Sequence, residues 1–136
     1  MARVVGVLQA RMSASRLPGK VLMPILGEPM LFRQIERLSR SSEMDRLVVA
    51  TSTDRSDDPL VAACEGRGIA CARGDLGDVL RRVVDAARSY QPDAVVRLTG
   101  DCPLADPLLI DELIRYFDAG SYRSEEHTSE LQSRLH

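Results

Sequence analysis

Val4-Val5-Gly6-Val7-Leu8-Gln9 runs straight into Ala10-Arg11-Met12-Ser13-Ala14-Ser15-Arg16-Leu17-Pro18-Gly19-Lys20. The first six residues form a near-continuous apolar run, the pattern of a strand buried on both faces of a parallel sheet. The next eleven carry three cations, two hydroxyls and a Pro-Gly turn, with almost nothing to bury. A strand-to-helix connection normally takes only a few residues. A longer one built from backbone amides, hydroxyls and cations is either a cradle for a polyphosphate or an exposed basic loop.

Working outward, Leu47–Thr51 and Ala94–Leu98 repeat the buried-strand pattern, and Ile69–Ala72 does so more weakly. Helical patterns lie between them. Leu31, Ile35 and Leu38 share a face after Pro29. Asp57 or Asp58 can cap a second helix, with Pro59 in its first turn and Gly68 closing it. Val79, Leu80, Val83, Val84 and Ala87 form one stripe after Asp78. A fourth helix opens at Asp106-Pro107, buries Leu109, Ile110, Leu113, Ile114 and Phe117, and stops at Gly120. This alternation predicts right-handed βαβ units and an α/β, three-layer, mainly parallel sheet.

The 136 residues suffice for one domain. A net charge of −2 argues against a nucleic-acid backbone or an anionic membrane surface as partner. No apolar run approaches the ~18 residues of a membrane span, and no secretory leader is recognisable. Cys64, Cys71 and Cys102 are odd in number and form no C-x-x-C pair, which fits a reduced, cytoplasmic protein. Of the 18 basic residues only Lys20 is a lysine, a hint that its ammonium is needed there, with chance retention as the alternative. From Arg123 the text turns polar and faceless, and the eleven residues Arg123–Ser133 match the translation of a sequencing-library adapter. Residues 123–136 are therefore expected to be a non-native, disordered tail, and the natural chain to continue past Tyr122.

Ligands of such a sheet sit beyond the carboxyl ends of its strands. Three segments qualify: Gln9–Lys20, Ser52–Asp58 and Thr99–Pro103. The first is not a Walker A loop, which would need Gly at Ala14 and Ser or Thr at Val21, and no G-x-G-x-x-G follows the first strand. In the third, Thr99-Gly100-Asp101-Cys102-Pro103, Gly100 leaves room for a ligand and Asp101 offers one carboxylate at the tip. Facing a cationic loop, that carboxylate suits Mg²⁺, which takes one or two protein carboxylates plus phosphate oxygens. A turn-capping role is the alternative, weakened because Asp106 already caps the next helix.

Four ordered blocks then carry a resemblance. Gln9-Ala10-Arg11 … Ser15-Arg16-Leu17-Pro18-Gly19-Lys20 with Gly27-Glu28-Pro29-Met30 is similar to the N-terminal signature of the cytidylyltransferases. Val49-Ala50-Thr51-Ser52-Thr53-Asp54 and Gly74 through Asp78-Val79-Leu80 resemble later blocks. Arg97-Leu98-Thr99-Gly100-Asp101-Cys102-Pro103-Leu104 is most like the spore-coat polysaccharide group. The resemblance covers Arg3 to about Phe117.

It implies the N-terminal part of a nucleotide-diphospho-sugar transferase (Rossmann-like) fold over residues 1–122, and a Mg²⁺-dependent reaction in which CTP and a sugar acid give a CMP-sugar and pyrophosphate for surface polysaccharide. By position, Arg11 and Lys20 resemble the triphosphate-binding, catalytic cations and Asp101 the metal-binding aspartate. Gln9, Ala10, Ser13, Arg16 and Thr99 complete the implied nucleotide-binding set. Two departures stand out. The octulosonate enzymes carry Gln where this chain has Thr99, which leaves the mode of base recognition open. Their second metal carboxylate falls beyond Tyr122, so this stretch alone is expected to be inactive. A homodimer of the longer protein is compatible with the resemblance. Transfer from another NTP to a sugar phosphate, or non-catalytic nucleotide binding, are the competing functions.

Overall fold

The computed structural model describes residues 3–13 and 16–120, with the side chains of 119 and 120 left out. The expected tail at 123–136 lies outside the described residues. Four parallel strands form the sheet: β1 (Val4–Gln9), β4 (Arg46–Ser52), β5 (Cys71–Gly74) and β6 (Ala94–Thr99), in the order β5-β4-β1-β6. β2 (Pro24–Ile25) and β3 (Glu28–Pro29) make a small antiparallel hairpin between β1 and the first helix. Every residue of β1 except Gln9 is buried, as a central parallel strand requires.

Side chains alternate across β1. Val4 and Leu8 join one core with Leu31, Ile35 and Leu38 of α1 (Met30–Leu38), Leu60 and Cys64 of α2 (Asp58–Gly66), and Ile110 and Ile114 of α4 (Pro107–Gly120). Val5 and Val7 join a second core with Val83, Ala86 and Ala87 of α3 (Val79–Arg88). Three helices thus cover one face and one covers the other, the three-layer arrangement expected. No helix among the described residues is long and apolar enough to cross a membrane.

Two local expectations are corrected. The weak strand sits at Cys71–Gly74, two residues later than its apolar run, because Arg73 and Gly74 extend the pairing with Thr51 and Ser52. Leu80 and Val84 do not share the buried stripe of α3 and are 68% and 43% exposed. Arg82 is buried in their stead at 1%, because α3 lies so close to the end of β5 that a Cβ on Gly74 would come within 2.9 Å of Arg82 Cγ. The connection after Lys20 has structure of its own. A 3₁₀ turn (Lys20–Leu22) and the hairpin intervene before α1, and the hairpin turns through Leu26 and Gly27 at φ 53° and 85°.

Candidate functional site

β1 and β6 meet where the strand order reverses, the place where open parallel sheets hold their ligands. Gln9 and Thr99 are register partners at the carboxyl ends of these strands. The Gly100 amide donates to the Gln9 carbonyl at 2.8 Å. A Cβ on Gly100 would lie 2.9 Å from that oxygen and 3.0 Å from Ala10 Cβ. The room expected at Gly100 is therefore filled by the chain itself, and the glycine lets the Asp101 turn close against the start of the cationic loop.

That loop is cinched. The Gly19 amide donates to Met12 O at 2.7 Å, and Gly19 takes φ 76°, a left-handed conformation that suits glycine. Lys20 then begins its 3₁₀ turn, anchored by buried Val21 in the core on the α1 side. Among the described residues no carboxylate pairs with Lys20 or Arg16, and no cation pairs with Asp101. Unpaired charges at the carboxyl edge of the sheet are available to a ligand.

Other expected site residues make bonds within the protein. The Ala10 amide donates to Ala50 O at 3.0 Å and its methyl is buried, so neither serves a phosphate. Arg11 donates through Nε to Asp57 Oδ2 at 3.4 Å and through Nη2 to the Ser13 hydroxyl. Gln9 accepts from Arg97 Nε at 3.2 Å. The Thr99 carbonyl accepts from Gln34 Nε2 at 2.7 Å, so a fully buried amide of α1 holds the turn that carries Asp101.

Asp57 is the residue that sequence reasoning misjudged. It stands at the N-terminus of α2, but its side chain caps nothing there. It is fully buried and turned toward the cationic loop. Its Oδ1 accepts the Met12 amide at 2.7 Å, and its Oδ2 accepts from Arg11, the Ser52 amide and the Ser52 hydroxyl. Burial pushes its carboxyl upward, yet the bonds from Ser52 and Met12 and the Arg11 charge outweigh this and hold its pKa below the usual 3.8. Ser52–Asp58, expected as a ligand segment, thus props the first loop. Arg73 fastens it from β5 through Ser52 O, Asp54 O and the Asp58 carboxylate, each at 2.8 Å.

No group of three or more His, Cys, Asp or Glu among the described residues could hold a metal ion. Asp101, a single exposed carboxylate beside a cation-bearing loop, suits a Mg²⁺ whose other ligands come from a ligand's oxygens and from water.

A parallel sheet whose order reverses at β1–β6, with a cation-bearing loop at that carboxyl edge, is the architecture of a ligand-binding α/β domain. A family model described as cytidylyltransferase matches residues 5–135, and the chain belongs to that family. It is 40% identical over 126 residues to the spore coat polysaccharide biosynthesis protein SpsF of Bacillus subtilis, covering 89% of this chain and 52% of that one. A cytidylyltransferase structure from Leptospira borgpetersenii superposes with a TM-score of 0.81 at 36% identity, over 88% of this chain and 50% of that one. The structure of CMP:2-keto-3-deoxy-manno-octonic acid synthetase complexed with CTP gives a TM-score of 0.76 at 26% identity, over 88% and 49%. The chain spans about half the length of the relatives it matches.

Proposed function

We propose that the longer protein to which this chain contributes its nucleotide-binding half transfers CMP from CTP to a sugar acid. The observation that carries this reading is the Gly100–Gln9 contact at 2.8 Å, which brings the Asp101 turn to the root of the Arg11–Lys20 loop. One side of that strand end carries cations and the other a carboxylate, the division a nucleoside triphosphate with its divalent ion requires.

In the reaction a hydroxyl oxygen of the sugar acid bonds to the α-phosphorus, the bond to the bridging oxygen breaks, and pyrophosphate leaves. The hydroxyl proton is lost to water. Arg11 and Lys20 offset the charge that builds on the departing pyrophosphate. Asp57 holds Arg11 and the Met12 amide in place, so the loop is organised before substrate arrives. Asp101 would hold Mg²⁺, which would supply charge neutralisation on the phosphates.

Pyrophosphate release from CTP, UTP, GTP and ATP, with sugar acids and sugar phosphates as acceptors, tests the reading on the chain extended to its relatives' length. CTP with a sugar acid is the pair expected to react. Turnover of another NTP with a sugar phosphate, or of none, would overturn it.

A further inference from the structure

The peptide unit that joins Thr99 to Gly100 is held at both ends. Its N–H, on Gly100, donates to the Gln9 carbonyl of β1 at 2.8 Å. Its C=O, on Thr99, accepts from Nε2 of Gln34 in α1 at 2.7 Å. A peptide unit is planar, so bonds on its two opposite edges fix its orientation. Between that plane and the Cα of Asp101 only the φ and ψ of Gly100 can turn, and Gly100 is itself buried against Gln9 and Ala10.

The far end of the Asp101 turn is fastened from the same helix. Arg37 gives Nε to the Ala105 carbonyl at 3.0 Å, and the Ala105 amide closes back on Cys102 O at 3.1 Å. Gln34 and Arg37 stand three residues apart and so share one face of α1. The helix that carries them is anchored. Leu31, Ile35 and Leu38 are fixed in the core, and Gln34 is 1% exposed. Arg33 ties the helix to the β2–β3 hairpin through Ile25 O at 3.0 Å and Leu26 O at 2.7 Å. A carboxylate carried on a turn pinned to a rigid element keeps its place.

That fixity matters for a divalent ion. Mg²⁺ demands near-ideal octahedral geometry and takes few protein ligands, so a single carboxylate serves it only from the right position. Resting on the proposed CMP transfer, we propose that Gln34 and Arg37 are positioning residues, which set the Asp101 carboxylate for the divalent ion of the nucleotide by clamping both ends of its turn to α1. Were the same bonds structural only, their loss would lower stability and leave the effect of the metal untouched.

The test uses the chain extended to its relatives' length and measures CTP binding by calorimetry, with Mg²⁺ and with EDTA in its place. In the unsubstituted protein Mg²⁺ is expected to tighten CTP binding. Gln34→Leu should lose up to about tenfold of that gain, the low end for a group that orients a metal ligand, and leave the affinity in EDTA unchanged. Arg37→Met, which keeps the aliphatic stem, should act in the same direction, and Arg37→Lys should recover part of the loss by retaining a donor. Asp101→Asn should lose the gain as well. Adding Gln34→Leu or Arg37→Met to it should cost no more, because both act through Asp101. If Gln34→Leu does not fold, the Arg37 variants decide the question. Losses that add in the double variants, or single variants that shift only the melting temperature, would overturn the proposal. So would CTP binding that Mg²⁺ does not tighten in the unsubstituted protein. Failure of the unsubstituted protein to bind CTP at all would instead overturn the transfer reading on which the proposal rests.

Discussion

Asp57 accepts the backbone amide of Met12 at 2.7 Å across 45 residues of sequence, so the loop after β4 holds the loop after β1. The same carboxylate binds Ser52 and Arg11, and it is fully buried. Asp57→Ala would leave these donors unsatisfied and is expected to cost about 3 kcal/mol, the lower end for breaking a buried charged pair, because Arg11 is partly exposed. Asp57→Asn keeps the shape but sets an NH₂ group against donors, at about 2 kcal/mol. The pH dependence has a definite sign. The folded pKa lies below the usual 3.8, so the stabilisation is present above that value and is lost as pH falls through the folded value. Denaturant unfolding from pH 6 to 2 should show a steeper acid loss in the parent than in Asp57→Asn. Equal slopes would show that the carboxylate is not coupled to folding.

Lys20→Ala, in the extended protein, is expected to lower kcat/KM for CTP by roughly 10²–10³, the scale of one preorganised electrostatic contact. Lys20→Arg should restore little, since a planar fork does not replace a compact ammonium at the start of a tight turn. Asp101→Asn should weaken the Mg²⁺ dependence and leave the melting temperature unchanged, because the side chain is exposed and no cation pairs with it. Turnover within about threefold of the parent for both, under 1 kcal/mol, would return the loop and the turn to a structural role.

Leu26 is 91% exposed at φ 53°, in the two-residue turn between β2 and β3. A left-handed conformation costs an ordinary L-residue about 1–2 kcal/mol, and two-residue hairpin turns with both central φ values positive favour Asn-Gly. Leu26→Asn before Gly27 should therefore stabilise the chain by about 1 kcal/mol. Calorimetry should register a rise of a few degrees. A fall would mean that the exposed leucine packs on something in the longer protein.

Gly100 and Gly6 should respond differently to alanine. At Gly100 the new Cβ meets the Gln9 carbonyl and the Ala10 Cβ, which cannot move without opening the β1–β6 end. About 2 kcal/mol and loss of nucleotide binding are expected. At Gly6 the nearest atom is Met44 Sδ, near the end of a flexible side chain, so a cost nearer 1 kcal/mol is expected. Chemical denaturation of the two variants side by side checks the order.

Much of this architecture was legible because its signals are periodic. Val4–Gln9 shows a buried strand on its face, and the structure places β1 at those residues. Asp106 was readable as a cap, and its Oδ1 accepts the Leu108 amide at 2.9 Å. The misreadings have a common cause: they depend on partners far along the chain. Leu80 and Val84 satisfy a helical stripe but are left outside, because the close approach of α3 to Gly74 turns Arg82 and Ala86 inward beside Val83 and Ala87. Asp57 reads as a cap until the fold lays Met12 beside it. Arg82 carries no motif in an arginine-rich text, and only the seating of α3 against Gly74 draws attention to it. The hairpin signal was present as Leu26-Gly27, but strands of two residues are too short to show alternation.

The remaining expectation concerns the edge of the sheet. β6 pairs with β1 on one side, and among the described residues no strand pairs on its other side. Ala94-Val95-Val96-Arg97-Leu98-Thr99 contains a single charge and no proline, and a bare edge with that composition is a template for strand addition. Relatives about twice this length have further chain available to cover it. The 136-residue chain alone is therefore expected to self-associate in a concentration-dependent way, while the chain extended to its relatives' length resists. Light scattering across a hundredfold dilution series compares the two. Val95→Lys offers an internal check, because a second charge on the edge should suppress association of the short chain by opposing strand pairing. A short chain that stays monomeric at every concentration and melts in one sharp transition would show that β6 is protected within these residues. Association that Val95→Lys leaves untouched would move the contact elsewhere, with the exposed Leu104 and Leu108 at the start of α4 the next surface to substitute.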